Sequence, residues 1–158
     1  MIFELGGYTL DIDVEHTRKF YKTAERITDG CGCQGCRNYA AWAEQLTGEP
    51  KTTLEAMGID LMKTPEVYVN CPTPDGALHY GGIYHLCGRI LKGPEIWTEW
   101  ENRSRSFRED AFFTLADRFR VGFSEDIYLL EEGFPGPVIQ LELLAEIPLV
   151  LPEQCAYL

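Results

Sequence analysis

The spacing of apolar residues changes once along the chain, close to Pro65, and this change constrains the fold more than any other feature. Before Pro65, apolar residues recur at the spacing of an amphipathic helix, as they do between residues 14 and 26. After Pro65, they alternate with the period of two that is typical of β-strands. Helices that come first and strands that follow indicate an α+β protein rather than a parallel α/β fold.

The boundaries of the predicted elements follow from breakers and turn residues. Gly48 and Pro50 end the second predicted helix, and Pro74-Asp75-Gly76 is a strong turn signal between two strands. The predicted helices are 14–26, 36–47 and 51–57, and the predicted strands are 2–10 with a break at Gly6-Gly7, 66–70, 78–91, 96–100, 115–124 and 138–147. We therefore expect N-terminal helices packed on a mostly antiparallel sheet formed by the C-terminal two-thirds, in a single globular domain covering residues 1–158.

Charge limits the kinds of partner that the chain can bind. It carries 14 Lys and Arg against 25 Asp and Glu, a formal net charge of −11. Phosphates would be repelled, so we expect no binding to nucleic acid or to an anionic membrane. The same charge suits a basic protein partner, which makes a non-enzymatic acidic binding module, such as an immunity-type protein, one candidate function.

Membrane and export signals are not visible in the sequence. No apolar run approaches the length of about 18 residues that spans a bilayer, and no basic segment precedes an apolar one at the N-terminus. We therefore expect a cytoplasmic location. Thiols there stay reduced, so clustered cysteines indicate metal binding or redox chemistry rather than a disulfide scaffold.

Three of the six cysteines, Cys31, Cys33 and Cys36, fall within six residues. This is the only segment in which residue type and spacing indicate a metal-binding or redox site. The Cys33-x-x-Cys36 spacing lets two sulfurs reach one ion, and Cys31 adds a third. Interspersed glycines permit a tight wrap, and a helix starting at Cys36 would direct free N–H groups at the sulfurs. We predict a zinc ion, or a similar thiophilic metal, in a structural or protein-interaction role.

A closed tetrahedral zinc site needs a fourth ligand. We predict His85, which shares one face of the strand 78–91 with Cys87, opposite to the face of Tyr80 and Tyr84. His85 would meet the cysteine loop if the N-terminal helices covered that face. The other candidates for the fourth ligand are Cys71, His79, Cys87 and Cys155. Without a fourth protein ligand, the metal would keep an open position, as catalytic zinc does.

Two other interpretations of the cysteine cluster remain open. Cys33-Gln34-Gly35-Cys36 at a helix start is also the arrangement of a thiol redox protein, in which the helix lowers a thiol pKa. However, residues 28–30 are predicted as loop, where a thioredoxin-like fold has a strand. The three cysteines are also small enough to serve only as turn residues. No nucleotide-binding glycine loop, G-x-S-x-G or H-E-x-x-H is present, so the sequence offers no other catalytic set.

The run from Cys31 to Tyr39 resembles the signature of a small bacterial protein family, C-x-C-x-x-C-R-N followed by an aromatic residue. The segment from Tyr80 to His85, with Gly88 after it, is similar to the second motif of that family, a strand with an aromatic residue, Tyr and His that ends in Gly. The resemblance covers most of the chain but implies no activity, because the family is uncharacterised. Cys87 stands where the family leads us to expect an apolar residue.

Overall fold

The computed structural model describes residues 1–158, and most strands are arranged around one long strand. The strands are β1 (Ile2–Leu5), β2 (Tyr8–Ile12), β3 (Glu66–Pro72), β4 (Leu78–Lys92), β5 (Phe113–Ala116), β6 (Phe119–Ser124) and β7 (Val138–Ile147). The helices are α1 (Val14–Thr23), α2 (Ile27–Gly30), α3 (Gln34–Gln45) and α4 (Glu49–Ala56). Short 3₁₀ turns cover Leu61–Lys63 and Glu109–Ala111.

All strand pairs are antiparallel, and the sheet order is β1-β2-β4-β7-β6-β5, with β3 also paired to β4. The predicted α+β class is therefore confirmed. One detail differs from the expectation: the N-terminal hairpin of β1 and β2 joins the sheet that the later strands form. The turn of this hairpin uses Gly6 and Gly7 with φ values of 53° and 90°, which glycine adopts without steric cost.

Helix α3 packs on the sheet face that carries Tyr80 and Tyr84. The Tyr80 hydroxyl donates to the Gly35 carbonyl at 2.7 Å, and the hydroxyls of Tyr39 and Tyr84 are hydrogen-bonded to each other. These contacts lie within a core of 31 buried residues. None of the helices has both the length and the apolar character needed to cross a membrane.

Helix α1 fills a gap at the edge of β4. β3 pairs with β4 only as far as Ile83, and β2 begins its pairing at Gly88. Between them, the Tyr21 hydroxyl donates to the His85 carbonyl at 2.9 Å and accepts from the His85 N–H at 3.1 Å. The Thr17 hydroxyl accepts from the Cys87 N–H at 3.0 Å. Two side chains of α1 thus satisfy backbone groups that would otherwise be buried without partners.

Three predicted elements are wrong in type or number. Residues 96–100 form no strand; only the isolated bridges Trp97–Phe107 and Glu101–Ser104 are present. The predicted strand 115–124 is two strands, β5 and β6, joined at Arg118 with a φ of 60°. Residues 28–30 lie in the short helix α2 rather than in a loop.

Candidate metal centre

The thiols of Cys31, Cys33 and Cys36 meet at the start of α3. Their sulfur atoms all lie within 4.8 Å of one another, and the Sγ atoms of Cys31 and Cys33 are 3.3 Å apart. Two sulfurs on one tetrahedral zinc ion are separated by about 3.8 Å, because each Zn–S bond is about 2.3 Å long. All six cysteines are free. The three thiols are therefore spaced so that they could hold one metal ion after small adjustments.

The side chain of Cys33 caps the N-terminus of α3. Cys33 occupies the N-cap position, and its sulfur accepts the Cys36 backbone N–H at 3.4 Å. Side-chain oxygens of Ser, Thr, Asp or Asn usually fill this role, since the first N–H groups of a helix have no partner within it. The start of a helix carries a partial positive charge, which is favourable for negatively charged groups placed there.

The three thiols differ in burial and in proton affinity. Cys33 is exposed, Cys31 is half-buried and Cys36 is 6% exposed. Burial raises the pKa of Cys36 well above its usual range, and the hydrogen bonds with Cys31 and Cys33 add to the rise. The backbone N–H of Cys33, together with the two neighbouring thiols, lowers the pKa of Cys31. A redox Cys33-x-x-Cys36 pair would need a low pKa at Cys33 or Cys36, and the shift at Cys36 is in the opposite direction.

The glycines of the loop do not act as expected. Gly30, Gly32 and Gly35 are all absent from the residues with positive φ, so the loop is not built on left-handed glycines. Gly35 instead permits close packing: a Cβ there would lie 2.8 Å from the Tyr157 hydroxyl and 3.3 Å from Cγ2 of Val69. The need for glycine at position 35 comes from the C-terminal segment and β3.

A C-terminal tail, residues 148–158, lies on the first turn of α3. Asn38 donates to the Pro148 carbonyl at 3.1 Å and accepts the Val150 N–H at 2.8 Å. The Arg37 guanidinium binds both carboxylate oxygens of Glu153 at 2.5 and 3.0 Å. Arg37, with a further hydrogen bond from Gln34, lowers the pKa of Glu153 to about 2. The helix turn that carries the thiols therefore also anchors the end of the chain.

A cavity of about 350 Å³ opens beside Cys31 and Cys36. Its lining includes three carboxylates, Glu25, Glu66 and Glu131, against a single cation, Arg26. Burial, followed by the charge of Glu25, raises the pKa of Glu131. The negative potential of this cavity favours the approach of a cation to the thiols and disfavours an anion.

His85 is not brought to the thiols. It lies on the sheet face opposite to Tyr80 and Tyr84, and α3 covers the face of these tyrosines. The His85 Nε2 atom is 3.0 Å from Oε1 of Gln140, and its ring packs against Phe134. The group of mutually close ligand atoms contains only the three cysteines.

The remaining candidates for a fourth ligand are dispersed. Cys71 is exposed on β3, and His79 Nδ1 is 3.0 Å from the Asn70 amide nitrogen. Cys87 is buried, with Sγ 3.7 Å from the Gly136 carbonyl. Cys155 is half-buried in the tail that lies on α3. The tail is hydrogen-bonded to Gln34, Arg37 and Asn38 of the cysteine-bearing helix turn, which β4 and β3 also contact, through Tyr80 and Val69.

Two features of the site were missed by reasoning from the sequence. The tail anchors Gln34, Arg37 and Asn38 follow the cysteines directly, but their partners lie more than 100 residues further along the chain, beyond any local pattern. The other feature is a buried chain of hydrogen bonds from His85 through Gln140 to Glu142. Gln140 and Glu142 stand at alternating positions of β7, and this polar pattern could have predicted the chain.

Fold and site together define an α+β protein with a three-thiol group at a helix start. Comparison with known proteins adds no relative: no family model, no curated protein and no solved structure matches the chain. Function must therefore be inferred from the chain's own residues.

Proposed function

We propose that the protein binds one zinc ion through Cys31, Cys33 and Cys36, and that the ion has a structural or protein-interaction role. The observation that carries the proposal is the convergence of the three sulfurs within 4.8 Å at the N-terminus of a helix that is docked on the sheet. Thiolates are soft ligands and select zinc, copper(I) or iron–sulfur clusters over magnesium or calcium. A reducing compartment such as the cytoplasm keeps the thiols available.

Folding does not require the metal, which only adds stability to the folded chain. The core of 31 buried residues spans helices and sheet, and Cys36 is the only one of the three cysteines among them. The metal-free chain therefore stays folded, and zinc raises its stability only by mass action. At a free zinc concentration 100 times the dissociation constant, this gain is about 2.7 kcal/mol.

The test is elemental analysis of protein purified under reducing conditions. The wild type is expected to contain close to one zinc per chain. Cys33→Ser should lose it, since serine preserves helix capping but removes one sulfur ligand. Cys71→Ser is the matched control, because Cys71 is exposed and lies outside the thiol group. Wild type that contains no zinc and whose accessible thiols at Cys31 and Cys33 react freely with a thiol reagent would contradict the proposal.

A second candidate function, binding of a basic protein partner, is favoured by an exposed apolar surface. This surface, called here the Trp100 surface, is formed by Trp100, Tyr128, Leu129 and Leu130, which are 64%, 45%, 60% and 43% exposed. Arg105 joins its two segments: its guanidinium carbon is 4.3 and 4.6 Å from the ring centres of Trp97 and Trp100, and it pairs with Asp126 at 2.8 Å. Trp, Tyr and Arg are the residue types enriched in interface hot spots.

The partner that fits the Trp100 surface is basic. Glu99, Glu101, Glu125, Glu131 and Glu132 flank its apolar residues in the sequence, and the whole chain carries a net charge of −11. A synthetic peptide of alternating Arg and Leu is expected to bind in a salt-dependent manner and to change Trp fluorescence. Leu129→Ser should weaken this binding, whereas Leu91→Ser, at a position 57% exposed on β4, should not. Equal binding by both variants would exclude this surface.

A further inference from the structure

The C-terminal tail is attached to the residues of the first turn of α3 that lie between and directly after the cysteines. Gln34, Arg37 and Asn38 all hydrogen-bond to it, and Gly35 lies against the Tyr157 ring. No strand includes the tail, so side chains of α3 rather than a sheet ladder determine where it lies. A rearrangement of these contacts would leave the hydrogen bonds of the sheet unchanged.

Cys155 is held at the centre of this attachment. Gln34 donates to the carbonyl of Gln154 at 2.8 Å and accepts the N–H of Ala156 at 2.7 Å, so both neighbours of Cys155 are bound to one side chain. Gln34 directly follows Cys33, the cap of the helix. Two residues beyond Cys155, the Tyr157 hydroxyl reaches Gly35, which directly precedes Cys36. Cys155 is therefore bracketed by contacts to residues that are adjacent to two of the three ligands.

We propose that Cys155 is the fourth ligand and that the tail closes on the metal to form a four-cysteine site. The inference rests on the proposed zinc function and adds a ligand to it. The Cys155 sulfur lies outside the group of three, so closure brings the tail nearer to the start of α3. Each of the four thiols gives its proton to solvent on coordination, and zinc with four thiolates carries two negative charges. Arg37, which donates to the Gly32 carbonyl at 3.1 Å, lies beside them and also pairs with Glu153.

The other candidates for the fourth ligand are less well placed to reach the three thiols. His85 faces the other side of the sheet, and Cys87 is buried against Gly136. The carboxylates of the cavity are hard ligands in a site whose other donors are soft. A water molecule in the cavity would leave an open position, and the tail contacts would then have no relation to the metal.

The deciding experiment counts sulfur ligands by X-ray absorption at the zinc edge in the wild type, Cys155→Ser and Cys71→Ser. The expected result is four sulfurs at about 2.3 Å in the wild type and the Cys71 variant. The Cys155 variant should show three sulfurs with one lighter ligand, and zinc affinity weakened about tenfold or more, that is by about 1.4 kcal/mol or more.

A measurement of tail mobility separates ligation from a purely structural role. Zinc should slow hydrogen exchange at residues 153–157 in the wild type and in Cys71→Ser, but not in Cys155→Ser. Three sulfurs in the wild type, or an unchanged site in Cys155→Ser, would overturn the inference and leave the three-thiol function standing. Absence of zinc from the wild type would overturn both.

Discussion

The buried carboxylate of Glu142 makes the stability of the protein depend on pH in a defined direction. Glu142 lies on β7 and is 4% exposed. Its Oε1 accepts a hydrogen bond from Nε2 of Gln140 at 2.6 Å. Since the Gln140 Oε1 accepts from the Tyr128 N–H at 2.8 Å, its amide orientation is fixed, and His85 Nε2 must donate to that oxygen. Burial lowers the pKa of His85, which favours the neutral ring in this role.

Burial raises the pKa of Glu142 from 4.5 to about 7, and the nearby charge of Glu66 adds to the rise. The folded protein therefore binds this proton more tightly than the unfolded chain does. The resulting stabilisation is fully present below pH 4.5 and is lost as the pH rises through about 7. A rise of this size corresponds to about 3 kcal/mol, since one pKa unit is worth about 1.4 kcal/mol.

Glu142→Gln removes the ionisation while keeping the shape and the oxygen that accepts from Gln140. At pH 4, the variant and the wild type should have similar free energies of unfolding. At pH 8.5, the variant should be more stable by about 1–3 kcal/mol, because the wild type must bury a charge. Urea unfolding at intervals between these pH values measures the difference.

The same substitution at an exposed site provides the control: Glu4→Gln should leave the free energy of unfolding nearly unchanged at both pH values. Glu66→Gln should shift the midpoint of the Glu142 effect to lower pH, because it removes a neighbouring negative charge. A pH-independent difference between Glu142→Gln and the wild type, or a variant less stable at pH 8.5, would refute the reasoning.

Three further predictions concern other parts of the molecule. Tyr84→Phe should lower the free energy of unfolding by about 1–3 kcal/mol, because Tyr84 donates to the Leu61 carbonyl and accepts from Tyr39. Tyr39→Phe should lower it less, because no buried donor or carbonyl is left unpaired. Urea unfolding of both variants measures the difference. Gly58→Ala should lower the melting temperature more than Gly76→Ala: both have positive φ, but only at Gly58 would a Cβ meet backbone, 2.8 Å from the Val14 carbonyl oxygen. Chelation of zinc should lower the melting temperature of the wild type but not that of Cys33→Ser, and equal shifts in both would count against the thiol site.

The elements that were predicted correctly are bounded by residues that end strands or helices. The strand 138–147 was predicted with both ends correct, since prolines stand directly outside it and alternation fills it. The long strand β4 was predicted to within one residue at Lys92. In these segments the breakers are prolines and glycines, whose effect on the backbone is local and does not depend on what packs against them.

The turns that were not predicted contain arginine, a residue that does not indicate a turn. The chain reverses at Asn102 and Arg103, with φ values of 47° and 62°, and at Arg118, with a φ of 60°. Arginine is uncommon in this left-handed region, so its presence gives no turn signal. The segment 96–100 was predicted as a short strand, but it forms only the Trp97–Phe107 bridge instead of pairing with a full strand. Tertiary contacts decide these positions, and a single sequence does not contain them.

The site was predictable to the extent that it is local. Cys31, Cys33 and Cys36 are close in sequence, so their convergence follows from one loop and one helix start. The placement of His85 depended on which face of β4 the helices cover, and alternation alone assigns the two faces without saying which one is covered. Tyr80 and Tyr84 determine the answer, because their hydroxyls find partners on α3 and on the turn beyond it.

The candidate metal centre therefore has two parts. The first part is α3, whose first turn is tied to the sheet through Tyr80 and whose thiols are held before any metal arrives. The second part is the tail, which reaches the same turn through Gln34, Arg37 and Asn38. Three thiols that lie close together before a metal binds reduce the entropy lost on binding. If Cys155 ligates zinc as proposed, the ion adds one attachment to a tail that Gln34, Arg37 and Asn38 already hold.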